Sequence, residues 1–424
     1  MKQLFAIAFS VWSILPIAAQ CDATRPPIVF MHGFLASGDS YAAQIQRLVE
    51  KGYCQNRLFV FDWNSVSGNG KKTDSLLKVF IDSVLKISGA AQLDLIGHSA
   101  GGNLGRGLIM DSVYASKVAH YIHLGSRKWF YEYSWFPNRK CLNIYSSADM
   151  VMGKMAGDVE GAVNLDLKNK DHYEVATSEE TFDAIYRFIN EDNKFPVIPT
   201  RQPSTIVEAG GKAVFLGDNT PMVHAKVSIY KVDEKNGRRK SENPEAAFRV
   251  NEEGSWGPFP ARVNAYYEIE LKPAEENGRI ISYFFQPFIK PDLHIYLRGF
   301  PQGNMIGMML GTLPAKEDQS LMVIYSSSKA MIAGRDSVTV NGVAVTSPAL
   351  TPASKTMISD FIFDDGDGLT SGKELQQFRS APFLGGTDIY LPANEKSIHT
   401  VYYNGKKINL PAVPSKEKIM LAVF

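Results

Sequence analysis

Leu93-Asp94-Leu95-Ile96-Gly97-His98-Ser99-Ala100-Gly101-Gly102 reads as a short buried strand, a sharp turn and the start of a helix. Gly-x-Ser-x-Gly between strand and helix is the sequence form of a nucleophile elbow. Such a turn holds its serine in a strained backbone conformation and lifts the hydroxyl clear of the sheet. Gly97 and Gly101 fall where a Cβ would collide as helix and strand pass close together. Glycine and serine are common, so a string this short also arises by chance. Its weight comes from what surrounds it.

Outward from the elbow, buried strands alternate with amphipathic helices. Residues 26–32 are an apolar run of strand length followed by Gly33. Residues 40–51 have helical spacing, and 57–61 form a second strand. Leu76, Leu77, Phe80, Ile81, Val84, Leu85 and Ile87 make one face of a helix that stops at Gly89. After the elbow, a helix is expected from about 102 to 114, and strands at 118–124, 142–145 and 163–167. Ser178 caps a last helix over 179–190. This alternation implies a mostly parallel sheet covered on both faces, with catalytic groups at the carboxyl ends of its strands. His32-Gly33-Phe34, Ser99, Asp149 and His172 all fall at such ends.

The chain order Ser, acid, His is that of the α/β-hydrolases. Residues 26–190 resemble a compact secreted α/β-hydrolase lipase or esterase with a reduced sheet, in which two leading strands of larger members are absent. A serine hydroxyl needs an adjacent base to attack. Ser99 is then the nucleophile, and His172 the base and later the acid for the departing alcohol. Asp149 orients and stabilises the imidazole. The backbone N–H groups of Phe34 and Ala100 are the expected oxyanion hole. Asp158, Glu132 and Asp171 stay open as alternative acids. The strand before Asp149 ends Leu124-Gly125-Ser126-Arg127-Lys128, without a carboxylate. His32 and His98 are expected to hold the loop and the elbow, and His120 and His123 to be core or surface groups of a strand.

Residues 129–136 hold six aromatics in eight positions, between two strands. Trp129, Phe130, Tyr131, Trp135 and Phe136 are expected to bind substrate, as a short lid or acyl-binding wall beside Ser99. The competing reading packs these rings under a following domain.

At 424 residues the chain is long for one core, and a net charge of +1 gives no sign of a nucleic-acid partner. Residues 1–19 read as a signal peptide: Lys2, an apolar run, then small residues. That places the protein outside the cytoplasm, secreted or periplasmic. Lipid anchoring at Cys21 is a rival, handicapped by Gln20 just before it. No later stretch is long enough to span a membrane. Cys21, Cys54 and Cys141 allow one disulfide, with Cys21–Cys54 the expected pair. No Cys or His spacing suits zinc, and neither metal nor cofactor is expected.

Beyond the catalytic domain (20–195), a Pro-rich linker spans 196–208. Residues 209–289 read as a β-sandwich, with strands at 212–215, 225–232, 247–250 and 266–271. It weakly resembles the transthyretin-like or immunoglobulin-like accessory sandwiches of secreted hydrolases. Residues 290–424 read as a second β domain, with hairpin turns at Asn341-Gly342 and Asn404-Gly405. The whole plan resembles archaeal-type two-part lipases, and that resemblance implies a β region supporting long-chain substrates. Residues 304–310 (Asn-Met-Ile-Gly-Met-Met-Leu) read as a buried strand, with a lipid-touching run as the alternative. The acidic stretch 364–368, with Glu374, resembles a calcium loop whose first position is the wrong residue, Phe363. A solvated turn is the preferred reading. The function expected is a carboxylic ester hydrolase, most simply a lipase acting on acylglycerols through an acyl-enzyme. The alternatives are an aliphatic polyester depolymerase, or a binding protein with an inactive hydrolase domain.

Overall fold

The computed structural model describes residues 21–190, 204–301 and 303–424. The expected signal peptide and residues 196–203 of the expected linker lie outside the described residues. The six anticipated strands of the first domain are present: β1 (Ile28–Met31), β2 (Leu58–Phe61), β3 (Leu93–His98), β4 (Val118–Leu124), β5 (Cys141–Tyr145) and β6 (Val163–Asp166). They form one sheet in the order β2-β1-β3-β4-β5-β6, and every pairing is parallel. Because parallel strands need crossovers, helices cover both faces. On one face lie α1 (Ala42–Glu50) and, after β6, Glu174–Thr177 and Glu179–Asn190, packed through Ile45, Leu48, Phe182, Ile185 and Ile189. On the other lie α2 (Gly70–Ser88) and α3 (Ala100–Ile109), packed through Leu77, Ile81, Val84, Leu104 and Leu108. Gly89 ends α2 in the left-handed conformation that glycine adopts without a Cβ penalty. Cys21 and Cys54 are bonded to each other, so the Cys21 sulfur is not free to carry a lipid, and Cys141 is a buried free thiol. Among the described residues, no helix is long and apolar enough to cross a membrane.

The rest of the chain is β-rich. A three-stranded sheet sets Ile206–Phe215 between Ser255–Arg262 and Asp292–Gly299. An eight-stranded sheet takes four strands from 226–285 and four from 322–423. The two sets join where Ile280–Phe285 pairs in parallel with Lys418–Val423. The boundary expected at 289/290 therefore precedes a strand that pairs with Ile206–Phe215, and the larger sheet runs through it. A four-stranded antiparallel sheet completes the region. Its hairpins turn at Asn341-Gly342 and Asn404-Gly405 with both residues of each pair at positive φ, as a type I′ turn requires. Residues 304–310 are not a strand. Asn304 accepts a hydrogen bond from Gly307 N–H, and Met305–Gly311 is a short helix that buries Ile306 and Leu310 and leaves Met305 and Met308 exposed. The spacing of its apolar residues suits one helical face as well as a strand, and the cap decides.

The β region docks on the carboxyl-end loops of the parallel sheet through polar groups. Arg298 pairs with Asp39 (2.5 Å), and Tyr325 donates to the same carboxylate. Lys212 and Tyr296 both reach Asp62. Arg335 reaches Asp171 and Glu174, and Ala330 N–H donates to Asp171. The carboxylates of Asp39, Asp62 and Asp171 are largely shielded from water, and each meets a cation, as buried ions must.

Candidate active site

Ser99 sits between β3 and α3 with φ 54° and ψ −118°, a conformation that costs about 1–3 kcal/mol for a non-glycine residue. Its own backbone groups hold it there. Ser99 N–H donates to Leu124 O (2.9 Å), while its carbonyl accepts from Asn103 N–H (3.2 Å) and Ser126 Oγ (2.7 Å). The two glycines are sterically required. A Cβ on Gly97 would lie 2.4 Å from Gly101 O, and one on Gly101 would lie 2.2 Å from Met31 O.

His172 lies in the loop after β6, and its Nδ1 donates to Asp149 Oδ2 at 2.7 Å. Asp149 follows β5, and its other oxygen accepts from Val151 N–H (2.9 Å) and Met152 N–H (3.1 Å). Burial works against the charge of Asp149. The hydrogen bond and charge of His172 and the two amides outweigh it and hold the carboxyl below its ordinary range. With its proton on Nδ1, His172 presents Nε2 as an acceptor. That atom is buried, has no partner among the described residues, and belongs to the same pocket as Ser99. The alternative acids are engaged elsewhere. Asp171 accepts from Tyr173 and Glu174 N–H and pairs with Arg335. Asp158 accepts from Tyr145 OH, and Glu132 from Asn138 N–H.

The other histidines brace this arrangement. His98 Nε2 donates to His172 O (2.8 Å), with the two rings 4.7 Å apart. Burial, with His172 beside it, pushes His98 down to about 3, so it stays neutral. His32 is fully buried. Its Nδ1 donates to Gly33 O (2.8 Å), and its Nε2 accepts from Trp63 N–H (3.2 Å). His120 pairs with Asp94, and His123 is buried beside Tyr121. The N–H groups of Phe34 and Ala100 have no protein acceptor among the described residues, and Gly33 brings its loop against the elbow, where an added Cβ would lie 3.2 Å from Ser99 Cβ.

The aromatic stretch does not reach this pocket. Trp129 and Phe136 are buried in the core between the sheet and the α2/α3 layer. Trp135 Nε1 donates to Ile109 O (3.2 Å), and Tyr131 and Trp135 are half exposed. Phe130 is 80% exposed. None of the five lines the pocket at Ser99. The rings serve the first domain's own core and surface, and they do not pack under the β region. The pocket is instead walled by Gly33, Phe34, Ala36, His98 and Tyr173, together with Thr356, Ile358 and Phe383 from the β region. Phe383, at φ 66°, stacks 6.2 Å from the His172 ring. Ala36, Tyr173, Ile358 and Phe383 also border a second, larger cavity between the two parts of the chain. Its lining is mainly apolar, with Leu35, Leu216, Ile281, Val323, Ile419 and Leu421 among its walls. Local sequence patterns could not find these residues, because they come together only through the docking of the β region.

At the acidic stretch, Asp364, Asp365 and Asp367 lie close enough to share an ion. Asp364 also accepts from the amides of Gly366 and Gly368, which brace the turn.

Residues 25–122 match the family model for class 2 lipases, 205–300 match the lipase C-terminal domain, and 314–424 match a further C-terminal-domain family. Among solved structures, Bacillus licheniformis lipase BlEst2 in mature form is 15% identical over 40% of this chain and 94% of its own, with a TM-score of 0.34. A predicted CIB-like hydrolase from Thermoplasma acidophilum is 17% identical over 40% of this chain and 89% of its own, with a TM-score of 0.32. Aspergillus fumigatus lipase B is 11% identical over 42% of this chain and 56% of its own, with a TM-score of 0.34. The chain thus carries a class 2 lipase domain of the α/β-hydrolase fold, a serine ester hydrolase, followed by a lipase C-terminal domain and a second C-terminal domain.

Proposed function

We propose that this protein is a secreted lipase that hydrolyses long-chain acyl esters, acylglycerols among them, through Ser99, His172 and Asp149. The observation that carries the substrate reading is the apolar cavity bordering the Ser99 pocket. Its walls offer an acyl chain an apolar surface that begins at residues shared with the Ser99 pocket. The Cys21–Cys54 disulfide supports an oxidising compartment, in keeping with the expected signal peptide.

In the reaction, His172 Nε2 takes the Ser99 proton as Oγ attacks the ester carbonyl. Asp149 keeps the other ring proton on Nδ1 and stabilises the imidazolium. The N–H groups of Phe34 and Ala100 bind the oxyanion, and their lack of protein acceptors supports that role. The tetrahedral intermediate collapses as His172 returns its proton to the leaving alcohol. Water, activated by the same imidazole, then releases the fatty acid.

The test is a chain-length series of p-nitrophenyl esters with wild type and Ser99→Ala, followed by emulsified triolein and polyester film. Wild type is expected to favour long chains and triolein, and the mutant to lose activity. Full activity in Ser99→Ala would remove the serine mechanism. A preference for film would replace the lipase reading with a depolymerase.

A further inference from the structure

The oxyanion loop, residues 33–41, has few bonds of its own. Ala36 N–H reaches Gly33 O at 3.4 Å, and Leu35 takes φ 59°, which disfavours a branched side chain. First-domain groups hold part of it, with Leu35 N–H on Ser65 Oγ and Gly38 N–H on Asp62, and the β region supplies the bonds at Ala36, Ser37 and Asp39. The tip between Phe215 and Thr220 inserts between this loop and the segment after β2. Gly217 O accepts from Ser65 N–H (3.2 Å) and Ser65 Oγ (3.1 Å), while Ser65 Oγ accepts from Leu35 N–H (3.0 Å). At the centre is Asn219, 5% exposed and at φ 56°. Its Nδ2 donates to Ala36 O (3.0 Å) and Trp63 O (3.0 Å) and lies 3.2 Å from His32 Nε2. Its Oδ1 accepts from Ser37 Oγ at 2.5 Å. One side chain thus ties together the backbone just after Phe34, the Trp63 backbone and the histidine that precedes the loop.

We infer that Asn219 is a positioning residue for the oxyanion hole, supplied by the C-terminal region to the hydrolase domain. Asparagine suits the position twice over. It tolerates the left-handed backbone better than most residues, and its amide offers donors and an acceptor on one short stem. Glycine would keep the backbone and lose every pin. Aspartate would keep the acceptor and replace the donor with an oxygen facing two carbonyls. Phe34 N–H sits two residues from the bonded Ala36 carbonyl. Release of that carbonyl lets the amide swing away from where the oxyanion forms, while the acyl and Ser99 sites stay intact.

The inference rests on Ser99 catalysis with Phe34 as a donor, and the test separates the two. Asn219→Gly and Asn219→Asp are compared with wild type and Ser99→Ala on p-nitrophenyl butyrate, with the reactive Ser99 counted by burst titration. The expected result is kcat per titrated Ser99 down about 30–300-fold, near the loss of one oxyanion donor, with KM within about threefold. The affinity for an alkyl boronic acid, whose tetrahedral adduct uses the same hole, should fall in parallel. A purely structural role would lower the titrated fraction and Tm and leave kcat per site unchanged. That result, within threefold of wild type in both variants, overturns the inference. If neither variant folds, Ser37→Ala, which removes one of the bonds, replaces them. Its kcat per site should drop at least threefold, and an unchanged value overturns the inference. Full activity in Ser99→Ala would instead defeat the underlying reading, and this inference with it.

Discussion

Ile358 borders both the Ser99 pocket and the larger cavity, so Ile358→Trp should obstruct an acyl chain that reaches from one into the other. Each methylene moved from water into the cavity contributes about 0.8 kcal/mol, a factor of roughly four at 25 °C. Laurate carries eight more methylenes than butyrate. If half of these reach the cavity, about 3 kcal/mol separates the two esters, or roughly 200-fold in kcat/KM. The plug should erase most of that ratio by lowering laurate hydrolysis, while butyrate hydrolysis stays within threefold. Overpacking costs typically 1–3 kcal/mol, so Tm is measured alongside. Leu421→Trp provides the paired variant. Leu421 lines only the larger cavity, so the fall should begin at a longer chain length. A laurate-to-butyrate ratio unchanged in both folded variants would refute the acyl-cavity reasoning.

Asp149→Asn should keep the fold and lower kcat by about 10⁴, because the amide no longer enforces the Nδ1–H tautomer of His172; a loss under tenfold counts against Asp149 as the acid. The depressed pKa of Asp149 means its stabilising effect is present above the unfolded carboxyl value and is lost as pH falls through the folded one. Asp149→Asn should therefore flatten the acid limb of Tm against pH. Asp360 behaves in the opposite sense. Burial pushes it up to about 7, Thr387 Oγ1 meets one oxygen, and the other has no partner. Its contribution is complete below the unfolded carboxyl value and is lost as pH rises towards 7, so Asp360→Asn should raise Tm more at pH 8 than at pH 5. The Cys21–Cys54 bond closes a loop with a sequence separation of 33, and its loss should cost roughly 3–4 kcal/mol, read from denaturant midpoints of Cys21→Ser/Cys54→Ser.

The parallel sheet was legible because its signals are local. Four-residue apolar runs, helical spacing and a glycine stop each depend on neighbours in the chain, and β1–β6 and α2 follow them closely. The placement of Ser99, Asp149 and His172 at strand ends on one edge was legible for the same reason, since this topology brings those ends together. The strand Lys418–Val423 was not among the expected strands, although its apolar run at 419–424 is the signal of a strand covered on both faces, as its place at the centre of the eight-stranded sheet requires.

The aromatic stretch shows where local reading stops. Six rings between two strands mark apolar surface without saying which surface it meets, and Trp129 and Phe136 meet the α2/α3 core. The pocket's other wall, Thr356, Ile358 and Phe383, lies more than 170 positions beyond His172. Asn219, Arg298 and Arg335 look like ordinary polar residues in a β-rich region until docking sets them against Ala36, Asp39 and Asp171. Chemistry that depends on one residue's neighbours in the chain can be read from the chain. The proposed bed for the acyl group and the proposed brace for the oxyanion loop arise from two separately patterned regions meeting, and no periodicity within either one encodes where the other will land.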